Sequence, residues 1–290
     1  MFGVSPAYFV SRHTDRFTFG AIADDLPQLA DMGFDAFQPE VFRPDDLEDW
    51  RCSGAARIAR SAARSGLAAS QVVGHCLWPA FESAPALASD WGLRQTADLL
   101  DGMRHLEACD LLTVVVPAFR PSAPSDRTVQ AAQAQRAHLV DKLQRMLDLA
   151  ERAGVRLALE ILPGSLIGGT EGFLRLHDEI GRAELGCNLD TGHAWTMREW
   201  LPRVPALLGS RVFGTHLKDN HQDGAALAPG QGSIPWAETL AALHAAGYGG
   251  SLDLEFLCAA DEAATAYARA LRHLRAVVCN PGTFPRSQPC

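Results

Sequence analysis

Two glutamates stand where an ionised group is costly. Glu160 lies in Leu-Ala-Leu-Glu-Ile-Leu (157–162) and Glu255 in Leu-Asp-Leu-Glu-Phe-Leu (252–257). A carboxylate in a dry core costs several kcal/mol unless it is paired or bound to a cation. For one such residue alone, a structural salt bridge is the simpler reading. Asp190 and His216 change the weighing, because each also falls at the end of a short, β-prone, apolar run. Four acceptors then lie at the same end of four consecutive strands. Lys218 is the obvious neighbouring cation, and one lysine is short of three carboxylates. A shared divalent ion satisfies three carboxylates and an imidazole at once. The set is mostly hard oxygen, which suits one Mn²⁺ or Mg²⁺, with Co²⁺ or Zn²⁺ tolerated.

Other polar residues fall near the same strand ends. His193 follows Asp190 by one tight glycine turn, in Asn-Leu-Asp-Thr-Gly-His (188–193), which fits a substrate hydrogen bond or a second role at the metal. Lys218, two residues after His216, points to the same face. It would hold a substrate hydroxyl or oxyanion, or form a salt bridge to Asp219 or Glu255. His75 and Glu40 end two further runs, where each is either a substrate contact or a satisfied core residue. His13, His105, His138, His177, His221 and His244 read as surface residues. Trp78, Phe81, Trp195 and Phe119 are candidates for substrate contact, with loop packing as the alternative.

Eight short apolar runs must position these groups: Phe2–Val10, Ala36–Val41, Ala69–His75, Leu111–Ala118, Arg156–Leu162, Leu185–Asp190, Val212–Leu217 and Ser251–Phe256. Several are apolar at nearly every position, the mark of parallel strands covered by helices on the outside. The segments between them have helical periodicity, clearest in Gln130–Ala153, where Leu139, Leu143, Met146, Leu147 and Ala150 share one face. A helix–glycine–strand join recurs at Gly33, Gly66, Gly154 and Gly247. Eight strands with these joins predict an α/β fold, a (β/α)₈ barrel over residues 1–279 with a tail at 280–290 that is loose or packs on a neighbour, rather than a doubly wound open sheet. Active sites of such barrels lie at the C-terminal ends of the strands. The fourth run ends in Val-Pro-Ala-Phe (116–119) and offers nothing ionisable. Arg120–Arg127 reads as an exposed loop that could serve as a lid, and Asn220–Ile234 as a Gly-rich loop.

Composition narrows the function classes. The chain has 290 residues, 47% hydrophobic and 21% charged, with a net charge of −8. That supports a large core and argues against a nucleic-acid grip, which usually needs a basic surface. The seven cysteines include no CxxC pair, so neither a disulfide framework nor a cysteine zinc site is expected, and a reducing cytoplasm fits. There is no signal-peptide pattern and no apolar run long enough to span a membrane. Nucleotide-binding glycine motifs are absent after every strand.

Taken together, Leu-Ala-Leu-Glu160, Asn-Leu-Asp190-Thr-Gly-His193, Thr-His216-Leu-Lys218-Asp219, Gly230-Gln-Gly232-Ser-Ile-Pro-Trp236 and Gly-Tyr-Gly-Gly-Ser-Leu-Asp-Leu-Glu255 resemble the xylose-isomerase-like barrel superfamily of sugar-phosphate isomerases and epimerases, over nearly the whole chain. By that resemblance Glu160, Asp190, His216 and Glu255 match the metal ligands of ketose 3-epimerases. It implies a divalent-metal-dependent sugar or polyol isomerase or epimerase. One glutamate would take the proton next to a polarised carbonyl, giving a cis-enediolate, and the other would return one. The ketose epimerases generally carry an arginine near Lys218, a departure here. The superfamily also holds inosose dehydratases, which share the first proton abstraction, and multi-zinc apurinic endonucleases, which need extra histidines. A sugar-binding barrel without catalysis is a further alternative. Relatives often form dimers or tetramers, so a homo-oligomer is expected by analogy.

Overall fold

The computed structural model describes residues 1–279. The expected tail at 280–290 lies outside them. Strands β1 (Phe2–Val4), β2 (Ala36–Phe37), β3 (Ala68–Ala69), β4 (Val72–Val73), β5 (Leu111–Val116), β6 (Arg156–Ile161), β7 (Leu185–Asp190), β8 (Val212–His216) and β9 (Leu252–Leu254) are joined by helices. All ladders are parallel, in the orders β3-β2-β1-β9 and β4-β5-β6-β7-β8. Parallel bridges Glu40↔Val73 and Leu217↔Leu254 join the two sheets on both sides. β3 and β4 are one run divided between them. The result is the predicted eight-position α/β barrel, closed and wrapped by helices.

Where the strands end differently, proline explains most of it. The run 2–10 is a strand only to Val4, and Ala7–His13 is a helix entered through Pro6 at φ −55°. A short apolar run carries no period that separates strand from buried helix, and proline pre-sets the helical φ. β2 stops at Phe37 because Pro39 has no N–H to continue the ladder, and Glu40 rejoins through its bridge to Val73. β5 stops before Pro117. His75 opens a 3₁₀ helix, His75–Ala80, instead of ending a strand. Glu255 lies just past β9, with its N–H donated to the Leu217 carbonyl.

The long helix Val129–Arg152 buries Leu139, Leu143, Met146, Leu147 and Ala150 as their spacing predicts, and buries Lys142 as well. Thr128 caps its start by accepting from Ala131 N–H at 3.1 Å. The apolar core lies between strands and helices. Inside the barrel the lining is polar and layered. Thr113, Asn188 and Asp253 each precede by two residues a side chain nearer the C-terminal end: Val115, Asp190 and Glu255. Period two puts both members of each pair on the inward face. The segment 120–127 is mostly exposed and contains one 3₁₀ turn, Pro124–Arg127.

Candidate metal centre

β6 to β9 deliver the four expected groups to one point. Glu160, Asp190, His216 and Glu255 each offer a ligand atom, and these atoms lie within 4.8 Å of one another. The register Asp190↔His216 sets two of them side by side. His216 Nδ1 is 3.1 Å from Glu160 Oε1 and 3.4 Å from Glu255 Oε1. Its Nε2 lies 2.8 Å from Gln38 Oε1, an acceptor that leaves Nδ1 as the nitrogen free to ligate. Asp190 divides its labour. Oδ1 accepts from His193 N–H at 2.8 Å and caps the short helix Thr191–Thr196. Oδ2, fully buried, pairs with the Lys218 ammonium at 2.6 Å.

The charge balance tests whether a metal fits. Three carboxylates face one lysine, Lys218, whose Nζ also lies 3.0 Å from Glu255 Oε2. Two negative charges remain, and one divalent ion with a neutral imidazole cancels them. Donors about 2.0–2.2 Å from a shared ion stand at most about 4.4 Å apart, close to the observed spread. Without the ion, protons and the lysine carry the balance. Burial alone would lower the pKa of His216, but the charges of Glu255 and Glu160 outweigh it and raise it to about 10. Burial opposes ionisation of Glu160, yet His216 holds it below the usual carboxylate range. Asp190 is likewise held low, against burial, by His193 and Lys218. Lys218 is held well above the lysine range by Asp190 and Glu255, again against burial.

The three sequence motifs interlock. Thr191 Oγ1 accepts from Lys218 N–H at 3.1 Å and donates to the Lys218 carbonyl at 2.8 Å. A Cβ at Gly192 would stand 2.4 Å from Lys218 Cγ, so only glycine lets the lysine stem pass. Asp219 turns away from Lys218 and gathers the late loop. It accepts from Asn220, Gly230 and Ile234 N–H and from Trp236 Nε1–H, at 2.9–3.1 Å. At Gly232 a Cβ would meet Asp219 Oδ1 at 2.2 Å. The alternative salt bridge from Lys218 to Asp219 is therefore replaced by pairs with Asp190 and Glu255.

A cavity of about 320 Å³ opens over this centre. Glu40, His75, Glu160, His193, His216, Lys218 and Glu255 all line it, so every predicted site residue reaches it except Asp190, buried beneath. His193 Nε2 is 3.2 Å from Lys218 Nζ and 3.4 Å from Asp190 Oδ2. His75 Nδ1 is 3.5 Å from Glu40 Oε1. Burial raises the pKa of Glu40, and for His75 the hydrogen bond to Glu40 outweighs burial and raises it too. Of the four aromatic candidates, Trp78 lines the cavity. Phe81 is core, Trp195 is buried against Ser233 and Trp200, and half-buried Phe119 packs on the core. Gln38, Phe42 and Leu257 were not singled out from sequence. Gln38 had a signal, since it precedes Glu40 by two and shares its face. Among the histidines read as surface, His13 pairs with buried Asp25 at 2.8 Å and His177 lies half-buried against Phe173 and Arg211.

Comparison with known proteins follows the same lines. The chain is 31% identical to D-psicose 3-epimerase of Enterocloster bolteae over 136 residues, 46% of this chain and 44% of that protein. It spans about half the length of the curated relatives it matches. The fold superposes on a D-psicose 3-epimerase structure solved in the presence of D-fructose with a TM-score of 0.77, at 16% identity, covering 96% of this chain and 99% of that one. It superposes on the IOLI protein with a bound zinc atom at 0.73, 16% identity, covering 98% and 99%. No helix among the described residues is long and apolar enough to cross a membrane. Residues 26–277 match the description xylose isomerase-like TIM barrel, and with so much of the chain matched on a closed parallel barrel, the protein belongs to that family.

Proposed function

We propose that the protein is a divalent-metal-dependent isomerase or epimerase of a sugar or polyol. One observation carries the reading: two glutamates, an aspartate and a histidine converge within 4.8 Å at the C-terminal mouth of the barrel, beneath an open cavity. Glu160, Asp190, His216 and Glu255 would hold the ion, with Mn²⁺ the first choice for a mostly carboxylate set. When bound, it would act as a Lewis acid that polarises a substrate carbonyl.

The remaining chemistry belongs to the chain's own groups. Glu160 and Glu255 both approach His216 Nδ1 and both line the cavity, so one carboxylate takes the proton from the carbon beside the carbonyl and the other returns a proton. Return to the opposite face inverts that carbon, and return to the neighbouring carbon moves the carbonyl. Lys218 and His193, 3.2 Å apart on the cavity floor, are placed to donate to a substrate oxygen that gains negative charge. The Glu40–His75 pair holds a proton at the far side and is placed to bind a further hydroxyl. Buried Gln38 keeps the His216 ring oriented, and Asp190 anchors the His193 backbone.

The test is incubation with a panel of free ketoses and Mn²⁺ in D₂O. A stereoisomer carrying one deuterium at the epimerised carbon is expected by NMR. Release of water instead would replace this reading with a dehydratase, and no exchange with any ketose or cyclic polyol ketone would remove it.

A further inference from the structure

The cavity has two chemically different halves. Its floor is formed by Glu40, Glu160, His193, His216, Lys218 and Glu255. Its upper wall is mostly apolar, with Pro6, Val10, Phe42, Trp78, Leu162 and Leu257, and the polar side chain among them, His75, is turned by Nδ1 toward Glu40. Phe42, His75 and Trp78 form a continuous stack, with ring centroids 4.3 Å and 5.2 Å apart and planes within 17° of parallel. Phe42 and Trp78 are only half-buried, and Leu257 is 57% exposed. Accessible apolar surface joined to a polar reaction floor is characteristic of a ligand site that reads an apolar group.

A free hexose suits the floor better than the wall. Hydroxyls near the reacting carbons meet the carboxylates, His193, Lys218 and Glu40. Hydroxyls directed at Phe42, Leu162 or Leu257 would lose water and gain no partner. A phosphate group fares worse. Among the described residues lining the cavity, Lys218 is the one lysine or arginine, and Asp190 and Glu255 already flank it.

We propose that the substrate is an unphosphorylated sugar or polyol bearing an apolar ring substituent, seated against Phe42, Trp78 and Leu257. This rests on the isomerase reading for the floor and extends it to the wall. A ring placed there buries its faces and edges against aromatic neighbours, which favours it over a methyl group of the same linkage.

Calorimetry on the Mn²⁺-loaded protein tests this with phenyl β-D-glucopyranoside and methyl β-D-glucopyranoside as probes. The phenyl compound should bind about tenfold tighter, the scale of one buried aromatic contact. That ratio should fall to within about twofold in Phe42→Ala and also in Leu257→Ser, whose exposed site keeps the fold safe. A ratio near one in the wild-type protein, or a ratio unchanged in both variants, overturns the proposal. D-Fructose 6-phosphate should bind more weakly than D-fructose, and tighter binding overturns the unphosphorylated assignment. The ketose exchange assay on the same preparation separates the two readings. Exchange with a ratio near one sinks the wall alone. A tenfold ratio without exchange on any ketone sinks the isomerase reading and keeps the wall.

Discussion

Two polar layers line the barrel interior, one above the other, and they behave differently. In the lower layer Gln71 Nε2 donates to Asn188 Oδ1 at 2.9 Å, and Thr113 Oγ1 donates to Gln71 Oε1 at 2.7 Å. These three groups are neutral and paired, with Asn188 Nδ2 left over, and the carboxylate of the same layer, Asp253, accepts from the Ser251 and Ser70 hydroxyls at 2.8 and 3.2 Å while burial raises its pKa. One step toward the strand C-termini, the upper layer places Glu160, Asp190, His216 and Glu255 within 4.8 Å, with a single lysine between two of the carboxylates. Both layers are buried except at the half-buried Glu255. The difference is three converging carboxylates against one lysine in the upper layer, where the lower layer has one carboxylate held by two hydroxyls. Buried polarity marks a structural network when donors match acceptors, and marks a cation site when they do not.

The largest expected effect that would break this comparison is at Glu160. Glu160→Gln should lower the deuterium exchange rate by about 10²–10⁴-fold, the usual scale of a general acid or base. Near-normal exchange would return Glu160 to a structural role. Metal removal comes next. EDTA should stop exchange, and Mn²⁺ at about 100 times its Kd should restore it and add about 2.7 kcal/mol of stability, read as a raised Tm. The Tm gain should vanish in Asp190→Asn.

A buried charge outside the barrel sharpens the contrast. Lys142, 2% exposed, donates to the carbonyls of Ala80, Ala86 and Trp91 at 3.2, 2.7 and 2.9 Å. Its three N–H groups are matched, so it is a structural clamp on the loop beyond His75. Lys142→Met should cost about 1–3 kcal/mol in urea denaturation by leaving those carbonyls unpaired, and should leave Mn²⁺ affinity unchanged. Burial pushes its pKa down from 10.5 to about 8. Between those values the unfolded chain keeps the proton that the folded chain releases, so the lysine's contribution to stability rises with pH across that window. The urea midpoint of the wild type should therefore gain on that of Lys142→Met between about pH 8 and about pH 10.5.

Lys218 is the opposite case, a cation standing among the proposed ligands. Lys218→Met removes the competitor for Asp190 and Glu255 and should tighten Mn²⁺ binding about tenfold by calorimetry while exchange falls. Weaker metal binding would show that the lysine supports the ligand geometry instead. The smallest effect is in the lower layer. Thr113→Val should cost about 1 kcal/mol of stability and leave metal affinity alone. A change in metal affinity there would mean the two layers are one network.

Much of this was legible in sequence, and the reasons are local. Charged residues inside apolar runs announce a cost that something must offset, so Glu160 and Glu255 stood out singly, and Asp190, His216, His193 and Lys218 followed from strand ends and period two. The repeated helix–glycine–strand joins carried the barrel. Gln38 and Asp219 were harder, because their meaning lies in partners 178 and up to 17 residues away. The strand limits failed where a proline withdrew a ladder hydrogen bond or pre-set a helical turn.

By itself, then, the sequence determined the alternation of apolar runs and helices, and the residues whose ionisation demanded a partner, since both follow from solvation of single side chains. Only the tertiary structure decided that Lys218 turns to Asp190 and Glu255 rather than Asp219, and that Phe42, His75 and Trp78 stack into one wall. Those outcomes depend on distances between groups far apart in the chain, which closure of the barrel sets and no local pattern encodes.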